Sequence, residues 1–210
     1  MLSRFRSSLK PLQSFLARLF IVLHIPANEV SLSGLLFALI GAAFVVQHLW
    51  LGALVFFVLA PLMDLIDGEV ARAQKARSYW GNYFETMIDK YVDFAMLGSF
   101  AFVPGLAVPA VLALGFSLIA SYAKPRAALI IISDNRDWPG IGEHGDKIAL
   151  VLVGLFFRVL GYNFLALALY AVALISAIGA VQRMEYARHL IREAERKGTI
   201  LPYLKKKRER

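Results

Sequence analysis

The sequence lacks cysteine altogether and has few charged residues. Without cysteine, disulfide bonds, thiolate metal sites and cysteine nucleophiles are excluded. Only 18% of the 210 residues are charged, whereas 59% are hydrophobic, and the mean hydropathy is +0.61. This composition is too apolar for a soluble domain of this length and is typical of a compact helical membrane bundle. We therefore predict one all-α membrane domain.

The N-terminal segment lacks the apolar core and the small-residue cleavage site of a secretory signal. Residues 1–24 instead carry scattered basic side chains among Leu, Phe and Ile at helical spacing. This pattern predicts an amphipathic juxtamembrane helix on the membrane surface, and the alternative is a disordered basic tail. Pro26 interrupts the pattern, and Asn28 or Ser31 is predicted to cap the helix that follows.

Six apolar segments follow, and each is predicted to be a transmembrane helix. They cover residues 30–49, 51–73, 80–103, 106–132, 146–160 and 162–183. The chain is thus predicted to comprise three parts, which are an amphipathic segment at 1–24, a six-helix transmembrane catalytic domain at 25–185 and a basic cytoplasmic tail at 186–210.

The distribution of Lys and Arg predicts the orientation in the membrane. If both termini are cytoplasmic, that side holds the basic N-terminal segment, the link with Arg72, Lys75 and Arg77, the 124–147 region and the tail, whereas the opposite side holds Arg158 alone. This asymmetry predicts a multi-pass protein of the cell membrane with a cytoplasmic active site. Attraction to anionic lipid headgroups accounts for the formal charge of +8, so no nucleic-acid partner is expected.

Four carboxyl groups lie where the second and third predicted spans meet. Asp64 and Asp67 are three residues apart, and Glu85 and Asp89 are four apart, so each pair projects from one face of its helix. Carboxylates packed together at low dielectric repel one another unless they are protonated or bridged by a metal ion. Hard oxygen ligands favour Mg²⁺, Mn²⁺ or Ca²⁺, and Mg²⁺ often shares its ligand shell between carboxylates and substrate phosphates. The spacing therefore predicts a metal site for a diphosphate substrate.

This acidic segment resembles the signature of the CDP-alcohol phosphotransferase family. The matching spacing is Asp64-x(2)-Asp67-Gly68-x(2)-Ala71-Arg72-x(8)-Gly81-x(3)-Glu85-x(3)-Asp89. The family has aspartate at the position of Glu85, and the other fixed positions agree. The resemblance implies an integral-membrane enzyme that cleaves the diphosphate of a CDP-linked donor, transfers the phospho-alcohol group to an acceptor hydroxyl and releases CMP. It also implies a homodimer.

The resemblance assigns roles to individual residues. It implies that one or two Mg²⁺ or Mn²⁺ ions are held by Asp64, Asp67, Glu85 and Asp89. Asp89 would also act as general base for the acceptor hydroxyl. The cytidine nucleotide would be bound by Gly68, Ala71, Arg72 and Gly81, with Asn28 near the donor phosphates; tight helix packing is the alternative role of the small residues. Glutamate at position 85 keeps the charge and adds one methylene, which a flexible metal site accommodates.

A second set of cations is predicted on the cytoplasmic side. Lys124, Arg126 and Lys147 lie at the ends of the fourth and fifth predicted spans and favour an anionic acceptor. The resembling positions of inositol-phosphate-using family members are also basic. The alternative is a snorkelling or lipid-headgroup role. Asp93, one turn beyond Asp89, is expected either to orient the acceptor hydroxyl or to pair with Lys90 or an arginine.

Two residues of the turn-rich loop between the fourth and fifth predicted spans have no predicted catalytic role. His144 and Asp146 have no metal-ligand spacing to each other or to another histidine, and we interpret both as solvated.

The leading hypothesis is a transferase that uses a CDP-lipid donor and inositol-1-phosphate as acceptor. A CDP-inositol donor giving a di-inositol phosphate is a close alternative, and glycerol-3-phosphate or serine remain as acceptors. A hypothesis from a different class is an ion-coupled transporter with buried carboxylates. The sequence shows neither internal repeats nor paired broken helices, which disfavours transport.

Overall fold

The computed structural model describes residues 6–76, 78–132 and 138–201. Over these ranges the chain is helical, and its only extended pairing is an isolated bridge between Ile131 and Ile200, so the all-α prediction is confirmed. The helices are α1 Arg6–Val22, α2 Ala27–Val46, α3 Trp50–Ala73, α4 Tyr79–Ser99, α5 Ala107–Ala128, α6 His144–Val159 and α7 Leu165–Lys197, with a short 3-10 turn at Phe100–Phe102 after α4.

Four of these helices, α2, α3, α5 and α7, are long and apolar enough to cross a membrane. The two others that coincide with predicted spans fall short for different reasons. Helix α4 has 21 residues but contains Glu85, Asp89, Lys90 and Asp93, and α6 has only 16 residues. Composition and length therefore support a membrane protein but not the full count of six spans, because the candidate site residues themselves lower the hydropathy of α4.

Helices α2 and α3 pack closely through small residues of α2. Gly34, Ala38 and Gly41 are buried at helical spacing on one face, and a Cβ atom at Gly41 would lie 2.4 Å from the ring of Phe57 on α3. The glycine leaves room for Phe57, which is fully buried and meets Phe100 edge to face at 6.1 Å. This close approach brings the polar residues near the start of α2 to the end of α3.

Helix α1 packs against α3 with one face and is exposed on another. Ala17 is fully buried and belongs to a cluster that includes Ile66 of α3, whereas Phe15 and Leu19 are 68% and 62% exposed. These contacts agree with an amphipathic helix. The side chains of residues 1–12, which include the basic residues Arg4, Arg6 and Lys10, are not described, and Arg77 and the end of the basic tail at 202–210 lie outside the described ranges.

The predicted N-cap of α2 is wrong. Helix α2 begins at Ala27 with Pro26 in the cap position, so Asn28 and Ser31 lie inside the helix. Ser31 instead donates a hydrogen bond from Oγ to Asp67 Oδ2 on α3, at 2.5 Å. Proline at the boundary explains the earlier start, because its fixed φ suits the entry to a helix and it needs no N–H partner there.

The loop before α6 lies directly on α7, which sets the position of the first turn of α6. Gly142 has φ 72°, and a Cβ atom there would lie 2.9 Å from the Ile175 carbonyl oxygen. A Cβ atom at Gly179 of α7 would lie 2.2 Å from the carbonyl oxygen of Ile141. The Ile141 amide also donates to Gln182 Oε1 at 2.9 Å. Glycine at both contacts therefore allows backbone to lie against backbone.

The opposite end of the bundle joins two turns. Arg158, near the end of α6, stacks over the ring of Trp50, at the start of α3, at 5.0 Å.

At the acidic end, α7 continues without interruption to Lys197. The predicted tail from residue 186 thus begins within the same helix, and the Leu201 amide returns to donate to the Ile130 carbonyl at 3.1 Å.

Candidate active site

The four predicted metal ligands meet between α3 and α4. Among the described residues, ligand oxygens of Asp64, Asp67 and Glu85 lie within 4.8 Å of one another. A second group with the same mutual limit contains Asp64, Asp89 and a ring nitrogen of His144. The structure therefore brings all four carboxylates together, but as two groups that share Asp64.

Asp67 has the chemistry of a metal ligand. The residue is 2% exposed, and Oδ2 accepts the hydrogen bond from Ser31. Its other oxygen, Oδ1, is buried without a hydrogen-bond partner. An ionised oxygen in this state is costly unless a cation satisfies it. The oxygen donors of the first group therefore fit Mg²⁺ or Mn²⁺.

A cavity of about 10 Å³ lies beside these groups. It has room for about one particle the size of a water molecule. Its polar lining comes from Ser31, Asp64, Asp67, Asp89 and His144. Glu85 still reaches Asp64 and Asp67 with its longer side chain, so the additional methylene does not separate it from them.

A larger cavity of about 680 Å³ adjoins the acidic groups and is here called the cationic cavity. Its charged lining consists of the cations Lys90, Lys124, Lys147 and Arg183 and the acids Asp64 and Glu143. The excess of positive charge favours an anionic ligand. Asp64 and His144 line both cavities, so the two are direct neighbours.

Only part of the predicted acceptor set lines the cationic cavity. Lys124 and Lys147 do, whereas Arg126 is exposed in the last turn of α5 and is not part of the lining. Residues two positions apart on a helix do not share a face, so Lys124 and Arg126 point in different directions. Arg183 of α7 lines the cavity instead. The sequence pattern places Arg183 only at the end of the last predicted span and does not predict that it lines this cavity.

Asp93 is the centre of a buried charge network beneath the cationic cavity. Its side chain is 4% exposed, and Oδ2 lies 3.3 Å from Lys147 Nζ and 3.5 Å from Lys90 Nζ. Lys147 is itself buried and also donates to Ser117 Oγ. Of the two expectations for Asp93, pairing with Lys90 agrees with these contacts, and Lys147 joins the pair.

The interpretation of His144 as a solvated loop residue is wrong. His144 begins α6, its side chain is 23% exposed, and its Nδ1 lies 3.0 Å from Asp93 Oδ1. Sequence spacing missed this residue because its neighbours come from helices far away along the chain. The glycines just before it, which let the loop lie on α7, were the available indication.

The predicted nucleotide-binding residues lie at the same end of the bundle as the acidic groups. A Cβ atom at Gly81 would lie 3.6 Å from Asn28 Oδ1, and one at Gly68 would lie 3.7 Å from the Arg72 guanidinium. Arg72 is ion-paired with Glu69. Ala71 is partly buried beside them on α3. These five predicted residues line neither of the two cavities described above, and their nucleotide role stays a prediction.

Curated proteins with similar sequences include enzymes of inositol lipid synthesis. The phosphatidylinositol phosphate synthase of Mycolicibacterium smegmatis is 32% identical over 175 residues, which cover 76% of this chain and 76% of that protein. The archaetidylinositol phosphate synthase of Pyrococcus horikoshii is 29% identical over 191 residues, which cover 90% of this chain and 97% of that protein.

Solved structures share the fold. Mycobacterium tuberculosis phosphatidylinositol phosphate synthase with bound CDP-DAG superposes with a TM-score of 0.73 at 20% identity, over 84% of this chain and 94% of that one. The same enzyme in complex with manganese and citrate also has a TM-score of 0.73 at 20% identity, over 83% and 88% of the two chains. Residues 23–179 match the family CDP-alcohol phosphatidyltransferase. The protein therefore belongs to the CDP-alcohol phosphatidyltransferase family.

Proposed function

We propose that the protein transfers the lipid phosphoryl group of a CDP-linked lipid to a hydroxyl of a phosphorylated inositol and releases CMP. The observation that carries this proposal is the contact between the acidic groups and the cationic cavity, which share Asp64. A site for a metal-bound diphosphate thus lies beside a site for a second anion. The names of the similar synthases agree with this pair of substrates.

The acidic groups would provide the reaction centre. Asp64, Asp67, Glu85 and Asp89 would hold Mg²⁺ or Mn²⁺, which when bound neutralises and orients a diphosphate. Asp89 would accept the proton of the acceptor hydroxyl. At the same time, the oxygen of that hydroxyl would form a bond to the lipid-bearing phosphorus. The bond between that phosphorus and the bridging oxygen breaks, and the electron pair leaves with CMP.

The cytidine part of the donor would lie at the same end of the bundle. Gly68, Ala71 and Gly81 present little side-chain bulk, and Asn28 lies next to Gly81. Arg72 is ion-paired with Glu69 in this structure. It would leave this ion pair and contact the nucleotide when the donor binds. Small side chains at these positions permit close approach of a flat base or ribose to the helix backbones.

The acceptor phosphate would bind in the cationic cavity. Lys124 and Arg183 would contact it directly, because both line this cavity. Lys147 binds Asp93 and Ser117. Lys147 would contribute its charge from below, and Asp93 would hold Lys147 in place. Charge-assisted hydrogen bonds to a phosphate are among the stronger contacts available to a protein.

The proposal includes six transmembrane helices, α2 to α7, with both termini and the active site cytoplasmic. Helix α4 measures about 32 Å by its rise per residue, enough for a bilayer core, and its Asp93 faces inward. The contact between Arg158 and Trp50 supports antiparallel neighbours whose turns meet on the far side. Lipids would surround the exposed apolar faces. A homodimer is expected from the family resemblance.

The donor is open to a specific alternative. The bifunctional IPC transferase and DIPP synthase of Thermococcus kodakarensis is 27% identical over 148 residues, which cover 66% of this chain and 34% of that protein. A CDP-inositol donor giving a di-inositol product, which is already an alternative at the sequence level, is the second candidate. Donor specificity depends on contacts to the tail of the CDP-linked donor. The acidic groups bind the diphosphate and do not distinguish one tail from another.

The deciding experiment measures CMP release by the purified protein in lipid nanodiscs. CDP-diacylglycerol, CDP-archaeol and CDP-inositol are each tested with inositol-1-phosphate, inositol, glycerol-3-phosphate and serine. We expect CMP release from a CDP-lipid with inositol-1-phosphate, dependent on Mg²⁺ or Mn²⁺ and lost in Asp67→Ala and Asp89→Asn. Cation flux without CMP formation would establish the transporter hypothesis instead.

A further inference from the structure

The second metal-binding group differs from the first in its donor atoms. Asp64 and Asp89 contribute carboxylate oxygens, but the third member is a ring nitrogen of His144, and all three ligand atoms lie within 4.8 Å of one another. The small cavity that these residues line also contains Asp67, whose buried Oδ1 has no hydrogen-bond partner. A ring nitrogen of His144 therefore lies close to the carboxylate oxygens of Asp64 and Asp89.

A carboxylate lies beside the His144 ring, although their present orientation does not form a hydrogen bond. Its Nδ1 lies 3.0 Å from Asp93 Oδ1, while Asp93 Oδ2 is fixed by Lys147 at 3.3 Å. Histidines that bind metal ions usually present their second ring nitrogen to a carboxylate, which sets the tautomer and the ring orientation. With Nδ1 beside Asp93, Nε2 would be the nitrogen that binds the cation.

We propose that His144 is a nitrogen ligand of a divalent ion held with Asp64 and Asp89, and that Asp93 positions its ring. This inference rests on the proposed metal-dependent transfer and adds a ligand that the acidic signature does not contain. Because an imidazole nitrogen is a softer donor than oxygen, this ion site favours Mn²⁺ over Mg²⁺ more than four carboxylates would. His144 also lines the cationic cavity, so the ion lies next to the acceptor.

Pulsed electron paramagnetic resonance of bound Mn²⁺ tests the nitrogen ligand directly. The full-length protein, with any affinity tag removed, is loaded with Mn²⁺ alone in nanodiscs and in a buffer without nitrogen donors. A ¹⁴N coupling to Mn²⁺ is expected. Labelling only the histidines with ¹⁵N should replace it by a ¹⁵N coupling, which separates His144 from the amines of Lys90 and Lys147.

Two matched histidine variants complete the test. The coupling should disappear in His144→Gln and persist in His189→Ala, which removes an exposed histidine of α7. Retention of Mn²⁺ at the Asp67 group in His144→Gln shows that this variant is folded. Absence of the coupling in the wild type, its persistence in His144→Gln, or failure of the wild type to bind Mn²⁺ would each overturn the inference.

The positioning role of Asp93 has its own measurement. Asp93→Asn should raise the Kd of the histidine-bound Mn²⁺ about 10- to 100-fold, the usual effect of removing such a partner, and leave Mn²⁺ at the Asp67 group nearly unchanged. CMP release measured in parallel separates the two proposals. Metal-dependent release without nitrogen coupling contradicts the histidine ligand alone, whereas coupling without release from any CDP-linked donor contradicts the proposed function alone.

Discussion

The two neighbouring cavities differ in whether the buried charged groups beside them have partners within the protein. In the acidic one, Asp67 has a buried oxygen that no protein group satisfies. Below the cationic one, Asp93 and Lys147 satisfy each other, and Ser117 accepts a further hydrogen bond from Lys147. A buried carboxylate without a hydrogen-bond partner indicates a position where a ligand binds, whereas a network of paired charges stabilises the surrounding structure. The candidate metal ligands and the candidate acceptor-binding cations therefore lie in different environments.

The largest effect should come from Asp64, which belongs to both metal-binding groups. Asp64→Asn should lower metal-dependent CMP release by about 10³-fold or more, since it removes a ligand charge from both ion positions. The control is Glu185→Gln, which alters an exposed ion pair of α7. Retention of a tenth of the wild-type rate would show that the groups do not act through Asp64.

The cationic cavity predicts a separation of the two substrates. Lys124→Ala or Arg183→Ala should raise KM for the acceptor about 10- to 100-fold through loss of a charged hydrogen bond, and leave KM for the CDP-linked donor nearly unchanged. Steady-state kinetics with each substrate varied in turn provide the measurement. Arg126→Ala is the matched control and should change neither constant by more than about twofold. Equal effects on both substrates would make these residues structural.

The glycine contact that positions His144 should be visible in stability. Gly179→Ala places a Cβ atom 2.2 Å from the Ile141 carbonyl oxygen, so the loop must move, at a cost of about 1–3 kcal/mol. Thermal unfolding in nanodiscs should show a lower Tm. Gly115→Ala in α5 is the control, because its Cβ meets nothing within 4 Å, and it should be neutral or stabilising. An unchanged Tm for Gly179→Ala would contradict the close packing.

The hydrogen bond from Ser31 should have a moderate effect on metal binding. Ser31→Ala removes the donor to Asp67 Oδ2, and loss of such a supporting contact should raise the Mn²⁺ Kd about tenfold. The rate at saturating Mn²⁺ should change little. Metal titration of CMP release distinguishes these effects. A lower saturating rate with an unchanged Kd would assign Ser31 to the chemistry instead.

The smallest effect is expected at the position where the chain departs from the family signature. Glu85→Asp restores the family residue but withdraws the carboxylate by one methylene, and a flexible oxygen site should absorb the change. We expect less than about a fivefold change in the rate at saturating Mn²⁺. A loss comparable to that of Asp64→Asn would show that the rest of this site is built around glutamate.

Much of the site could be predicted from the sequence because its ligands are close together along the chain. Asp64 and Asp67 follow helical spacing within α3, and the apolar runs on either side set the positions of the helices. The structure contradicts the predictions for His144 and for the cap of α2, and it leaves Arg126 outside the lining of the cationic cavity. Each of these depends on which face of a helix, or which side of a loop, meets a distant neighbour.

The sequence by itself determined the helical class, the membrane character and the acidic signature. These follow from composition and from local periodicity, which act over a few residues. Only the tertiary structure decided that Asp64 is shared, that Ser31 supports Asp67 and that His144 stands between the two cavities. The contacts of Ser31 and His144 join residues more than 30 positions apart, and they are set by how glycine-lined helices and loops approach one another.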